Sequence, residues 1–357
     1  MRLAWASVKG IMKVKNMPKL ALAVIGIVII VLLYQAITTI YYYRDYIVLF
    51  IPESPLPVMR SKAHSIVSNL KHRNQGQSAD FADPPRILCL IVTSPKYHDL
   101  RASHVDATWS RHCTKAIFLT TERDVRLSNV LLTPGASSYY QLWDKVTQGF
   151  EWAYDYRDQF DWFYKADDDT FTIIENLQAA LSGLDPERPQ ATGNMLCTWD
   201  TGSTYLNGGA GYVLSRGAVI KLVEEGLRSK ACSNNLALGT NEDVNMANCL
   251  AYLGVDFLDS RDELGNQRFN IYPPKELVDP RQANRITHLW LKKVSRFPYR
   301  FGYSEMSESV ISFHYVDGPT MYLLYYLIYI VNPANAEALQ SYPFQKSPQH
   351  TVEANLK

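Results

Sequence analysis

Three short apolar runs, separated by stretches of helical spacing, limit this chain to a layered α/β architecture. The first is residues 86–93 (RILCLIVT), apolar without alternation, the pattern of a strand covered on both faces. The second is 115–120 (KAIFLT) and the third 161–165 (DWFYK). Between them, residues 96–111 form a polar, helix-like stretch that includes HVDATW. Leu142, Val146, Phe150 and Ala153 recur at helical spacing within 139–156, and 173–181 reads as a further helix. Strands alternating with helices in this way build a mostly parallel sheet. Residues 321–331 (MYLLYYLIYIV) are apolar but too few to cross a bilayer, which takes about 20 residues. They read as a helix packed on the sheet.

A different segment is long enough. Residues 20–43 carry no charge, and Arg2, Lys9, Lys13, Lys15 and Lys19 precede them with no acid before Asp45. Basic residues stay cytoplasmic, and Tyr41, Tyr42 and Tyr43 suit the far interface. No small-residue cleavage site follows, so a retained signal-anchor is expected rather than a cleaved signal peptide. This predicts a cytoplasmic tail (1–19), a single transmembrane helix (20–43), a polar stem (44–85) and a body on the non-cytoplasmic side from 86 to 333. The polar end, 334–357, reads as a flexible tail. Lys and Arg total 36 against 35 Asp and Glu, a net charge of +1 that gives no reason to expect a nucleic-acid partner. The five cysteines form no C-x-x-C, so a zinc cluster is not expected, and connectivity cannot be read from spacing. No N-x-[ST] site occurs.

The third strand ends in Asp167, Asp168 and Asp169. Ligands bind outside the carboxyl ends of parallel strands. Adjacent carboxylates there are tolerable if a hard cation such as Mg²⁺ or Mn²⁺ neutralises them, commonly shared with substrate phosphates. A lone triplet in a turn would more simply be a cap, but the aromatic strand before it favours a metal and a nucleotide diphosphate. The EF-hand pattern is absent. Three other clusters stand out. Residues 205–215 (YLNGGAGYVLS) allow close backbone approach to a ligand. Glu242 and Asp243 open an apolar helical run, as a helix start or as a general base. His314 lies in 313–316 (FHYV), a core histidine unless it meets the aspartates.

These blocks, in this order, resemble the core 1 β-1,3-galactosyltransferases, relatives of the Fringe glycosyltransferases, over residues 85–333. RILC, HVDATW, DWFYKADDDT, YLNGGAGYVLS, ED before a helix, DSRDELG and SFHYVD all match. The resemblance implies a GT-A-type nucleotide-sugar-binding fold and an anchored Golgi enzyme, type II, with the catalytic domain lumenal. It implies inverting transfer of galactose from UDP-galactose to the 3-hydroxyl of GalNAc O-linked to Ser or Thr of a glycoprotein, with Mn²⁺ as cofactor and a homodimer as one possible assembly. By motif position, Asp167, Asp169 and His314 would hold the metal. Thr93, Lys145, Asp167, His314 and Tyr315 would touch UDP, and Trp290 and Gly209 the acceptor. Asp243 would be the base, and Cys89–Cys113 and Cys232–Cys249 the disulfides. The family's adjacent Cys-Cys pair is missing: 301–308 read FGYSEMSE. The family's charged nucleotide contact is missing from 139–145, and 283–299 match the acceptor region poorly. The alternatives are a Fringe-like paralogue using another sugar or acceptor, and a non-catalytic chaperone of the enzyme, whose known form lacks the acidic triplet.

Overall fold

The computed structural model describes residues 32, 34–35, 83–136, 138–199, 201–233, 241–279 and 285–331. The chain divides into two compact units, Met1–Gln75 and Gly76–Lys357. Almost all of the expected anchor, the tail before it, nearly all of the stem and the end beyond 331 fall outside the described residues. Among those described, no helix is long and apolar enough to cross a membrane.

The second unit opens with β1 (Ile87–Val92). Broken helical turns follow, Pro95–Tyr97 and His98–Ala102, then α1 (Ser103–Ala107) and a turn at Trp109–His112. Next come β2 (Lys115–Thr120), β3 (Val130–Leu132), α2 (Leu142–Tyr154), β4 (Trp162–Asp167), β5 (Phe171–Thr172) and α3 (Ile174–Leu181). Then follow β6 (Gln190–Gly193), the hairpin β7 (Met195–Cys197) and β8 (Thr204–Leu206), and β9 (Tyr212–Ser215). Helix α4 (Arg216–Lys221) runs on through Leu222–Arg228, and α5 (Glu242–Tyr252) precedes β10 (Asp256–Asp259). The remainder is β11 (Phe269–Asn270), α6 (Pro274–Val278), α7 (Arg285–Val294), β12 (Ser312–Phe313) and α8 (Gly318–Tyr325), which continues through Tyr326–Ile330.

The main sheet has the order β10-β6-β9-β4-β1-β2-β3. All its pairings are parallel except those of β9, which runs against β4 and β6. The mostly parallel sheet expected from the sequence is therefore present. β11, β12 and β5 make a small second sheet.

The uninterrupted apolar run of β1 is explained by two cores. Ile87, Cys89 and Ile91 face one, with Trp109, Phe118, Trp162 and Phe171. Leu88, Leu90 and Val92 face the other, with Phe150, Phe163, Tyr212 and Leu222. Each such buried Leu, Ile or Phe contributes about 1.5–3 kcal/mol. Disulfides join Cys89 to Cys113 and Cys232 to Cys249, the pairs implied by the resemblance, and Cys197 is free.

The apolar stretch is helical through Ile330; it packs against α1, and Met321, Leu324, Tyr325 and Tyr329 join the core that covers one face of the sheet. Asp317 caps it, accepting from the Thr320 amide at 2.8 Å. Met321 is buried, His104 meets Tyr322, and His112 stacks on Tyr329. Leu323, Tyr326, Leu327 and Ile330 stay exposed on its outer side. The stretch is apolar on all sides, so its composition alone did not identify the face that packs.

Candidate active site

Strand register builds the site. β4 lies beside β1 with Val92 opposite Asp167, which sets Thr93 next to Asp168. The Thr93 hydroxyl donates to Asp168 Oδ2 at 2.7 Å, and Lys145 Nζ on α2 donates to the Thr93 carbonyl at 2.6 Å. A tight turn follows, in which the Thr170 amide donates to the Asp167 carbonyl at 3.2 Å. β12 pairs antiparallel with β5, and the Val316 amide donates to the Asp169 carbonyl at 2.9 Å. This brings His314 over the triplet. Its Nε2 lies 3.1 Å from Asp169 Oδ1 and 4.0 Å from Asp167 Oδ2. Arg101 reaches in from the turn before α1, 2.9 Å from Asp169 Oδ2 and 3.4 Å from Asp168 Oδ1.

The glycine loop forms the floor. An added Cβ at Gly209 would lie 2.1 Å from His314 Cε1, so only glycine lets the backbone back the imidazole this closely. The Gly209 carbonyl accepts from Thr170 Oγ1 at 2.8 Å. Gly208 N–H donates to Asp243 Oδ2 at 3.0 Å, where Asp243 sits in the first turn of α5. Lys165 Nζ, inside β4, donates to Asp167 Oδ1 at 2.7 Å and to the Gly208 carbonyl at 3.2 Å, and lies 3.5 Å from Glu242 Oε2. Tyr212 donates to the other Glu242 oxygen at 2.6 Å. Tyr315 has φ 54°, a left-handed backbone uncommon without glycine, and its exposed ring stacks on His314 at 3.8 Å.

The carboxylates differ in proton affinity. Burial pushes Asp168 up to about 7; Asp169 and Asp167 add to that, and Thr93 and Arg101 oppose it. Burial also acts upward on Asp169, but His314 and Arg101 outweigh it and hold Asp169 below the usual carboxylate range. Burial raises Asp243, against the Gly208 N–H and Lys165. Glu242 is pushed to about 7, again by burial, with Lys165 opposing. Burial works against the Lys165 charge, but Asp167 and Glu242 outweigh it and raise the ammonium. Lys145 is lowered by burial, with Asp168 pulling the other way.

Of the residues singled out in the sequence, Thr93, Lys145, Asp167, Asp169, Gly209, Asp243, His314 and Tyr315 come together here. Trp290 is half-buried on α7 and packs on the core beneath β1. Arg101, Lys165 and the pairing of Glu242 were missed. One signal for Lys165 was present: a lysine two residues before an aspartate, on the same face of an apolar strand.

Asp167, Asp169 and His314 each offer a ligand atom, all within 4.8 Å of one another. Two carboxylates and an imidazole suit a hard divalent cation. His314 presents Nε2 to both carboxylates, and its buried Nδ1 has no hydrogen-bond partner among the described residues. The donor set fits such an ion.

The Fringe-like family model matches residues 83–264. A Xenopus laevis relative, glycoprotein-N-acetylgalactosamine 3-beta-galactosyltransferase 1, is 34% identical over 253 residues, covering 71% of this chain and 68% of its own length. Human chondroitin sulfate synthase 3 is 24% identical over half of this chain but only 22% of itself. Among solved structures, the galactosyltransferase LgtC overlaps 71% of this chain and 100% of its own at 10% identity, with a TM-score of 0.35. By the family match and the Xenopus relative together, this chain belongs to the Fringe-like family and stands with its glycoprotein-N-acetylgalactosamine 3-beta-galactosyltransferases.

Proposed function

We propose that this chain is an inverting, metal-dependent galactosyltransferase. It moves galactose from UDP-galactose to the 3-hydroxyl of GalNAc linked to Ser or Thr, forming the core 1 disaccharide on a glycoprotein. The observation that carries this reading is the glycine loop, which ties the metal-capable trio and a half-buried carboxylate into one floor: Gly209 backs His314 while Gly208 holds Asp243. The 34% identity to a named 3-beta-galactosyltransferase supports the substrate class.

Each residue then has a role. Asp167, Asp169 and His314 would hold Mn²⁺, which when bound supplies Lewis acidity to the leaving diphosphate. Thr93 and Lys145 line the same strand end and would meet UDP with Tyr315. Asp243 takes the proton from the acceptor hydroxyl; its raised proton affinity suits a general base. As that oxygen bonds to the anomeric carbon from the face opposite UDP, the carbon–oxygen bond to the phosphate breaks and UDP leaves. Inversion follows without a covalent enzyme intermediate, through an oxocarbenium-like transition state. Trp290 is proposed as the acceptor contact. For Gly209, packing behind His314 is the stronger role. The body, 86–333, is proposed as a GT-A-type catalytic domain in the Golgi lumen, held by the anchor at 20–43. Two disulfides suit that oxidising compartment.

The test uses the full-length chain from a secretory host, with Mn²⁺, UDP-galactose and a GalNAc-Ser/Thr glycopeptide, read by mass. The expected result is the disaccharide, lost in Asp169→Ala and with chelator. Product only from UDP-N-acetylglucosamine would replace this reading with a Fringe-like one. Folded protein that binds UDP and makes no product would favour a chaperone role.

A further inference from the structure

Lys165 is the feature of the site that neither metal binding nor proton transfer requires. It is a lysine within an interior strand, 1% exposed, and a buried ammonium is costly unless several groups satisfy it. Here three do. Asp167 Oδ1 and the Gly208 carbonyl accept from it, and Glu242 lies within ion-pair reach. Glu242 is in turn fixed by Tyr212, so the lysine is anchored from below by α5 and β9.

We propose that Lys165 is a positioning residue that joins the metal ligand Asp167 to the base Asp243 through Gly208. By engaging Asp167 Oδ1, the ammonium leaves Oδ2 directed at His314 Nε2. By taking the Gly208 carbonyl, it fixes the residue whose N–H holds Asp243 Oδ2. Packing leaves little slack in this link. A Cβ at Gly208 would sit 3.2 Å from Lys165 Nζ and 3.3 Å from Asp243 Cβ. The spacing between the two functional carboxylates is thereby set by one side chain rather than by the loop alone. The inference rests on the proposed function for the roles of Asp167 and Asp243, though not for the contacts themselves.

Charge and position predict opposite results. A cation 2.7 Å from a metal ligand repels an incoming ion, so if charge were its only effect, removing it would tighten metal binding. If its effect is position, removal loosens binding. Groups that orient metal ligands typically change affinity about 10- to 100-fold when lost.

The experiment uses the full-length chain as wild type, Lys165→Met and Glu242→Gln. Mn²⁺ is titrated with free ion read by electron paramagnetic resonance, and exchange of the Gly208 amide is followed without metal. The expected result for Lys165→Met is a Kd for Mn²⁺ raised about tenfold and faster Gly208 exchange. Glu242→Gln, which loosens the lysine from below, moves both in the same direction by less. Unchanged or tighter Mn²⁺ binding with unchanged Gly208 exchange overturns the proposal. If Lys165→Met does not fold, Glu242→Gln decides on the same two readouts. If wild type makes no disaccharide or binds no Mn²⁺, the proposed function fails instead, and Gly208 exchange still judges the role of Lys165.

Discussion

Asp168 and Asp169 meet their counter-charges at the rim of the site, whereas Glu242 meets its own beneath the floor. At the rim the counter-charge is Arg101, its side chain 38% exposed and carried in from another segment, while the His314 ring lies beside Asp169. Beneath, the partner is Lys165, shut away between β4 and α5. Both acidic groups lie near the carboxyl end of β4, but they are neutralised for different ends. A cation open to solvent can yield its place to an incoming ion. A cation sealed in the interior cannot, and serves as part of the frame.

The largest difference should come from removing a rim carboxylate on one side and, on the other, the base that the floor loop holds beside Glu242. Asp169→Ala is expected to abolish both Mn²⁺ binding and transfer. Asp243→Asn should leave Mn²⁺ binding near wild type and cut turnover about 10²–10⁴-fold, the usual worth of a positioned base. Metal titration beside a turnover assay checks this, and equal loss of metal in both variants would erase the distinction. Gly209→Ala comes next. The new methyl must displace the His314 ring, so weaker Mn²⁺ binding is expected together with a stability loss of about 1–3 kcal/mol, the range for overpacking. Thermal unfolding with and without Mn²⁺ measures both. The smallest effect is a slope. Glu242 has its proton affinity raised from 4.5 to about 7 on folding, so the folded state favours its neutral form. Its contribution to stability is full below pH 4.5 and is lost as pH rises through about 7. Glu242→Gln should flatten that limb of the stability–pH curve, and an unchanged curve would mean the glutamate is not confined as described.

Much of this was legible in the chain. The runs in β1, β2 and β4 had no alternation because the sheet is buried on both faces, and that marked them as interior strands. The acidic triplet was legible because repulsive neighbours at a strand end need a cation. Asp243 and His314 were visible as candidates with plain structural alternatives, and only the family resemblance gave them definite roles. Arg101, Lys165 and Glu242 were not legible as partners, because their meetings depend on register between strands distant in sequence. The same limit hid the seat of α8. A helix apolar all round, with Leu327 as oily as the buried Met321, does not say which face is inside.

The small sheet β11-β12-β5 has a consequence for biosynthesis. β5 follows the aspartates directly, yet its partner β12 arrives only near the end of the described chain. A nascent polypeptide still lacking residue 314 holds the triplet without its imidazole, and long-range pairings of this kind are slow to form. Capture of the ion would then serve as a late checkpoint, since a ligand that binds only the finished fold stabilises it by mass action. Completion of the fold would answer to the supply of divalent metal before any sugar is transferred.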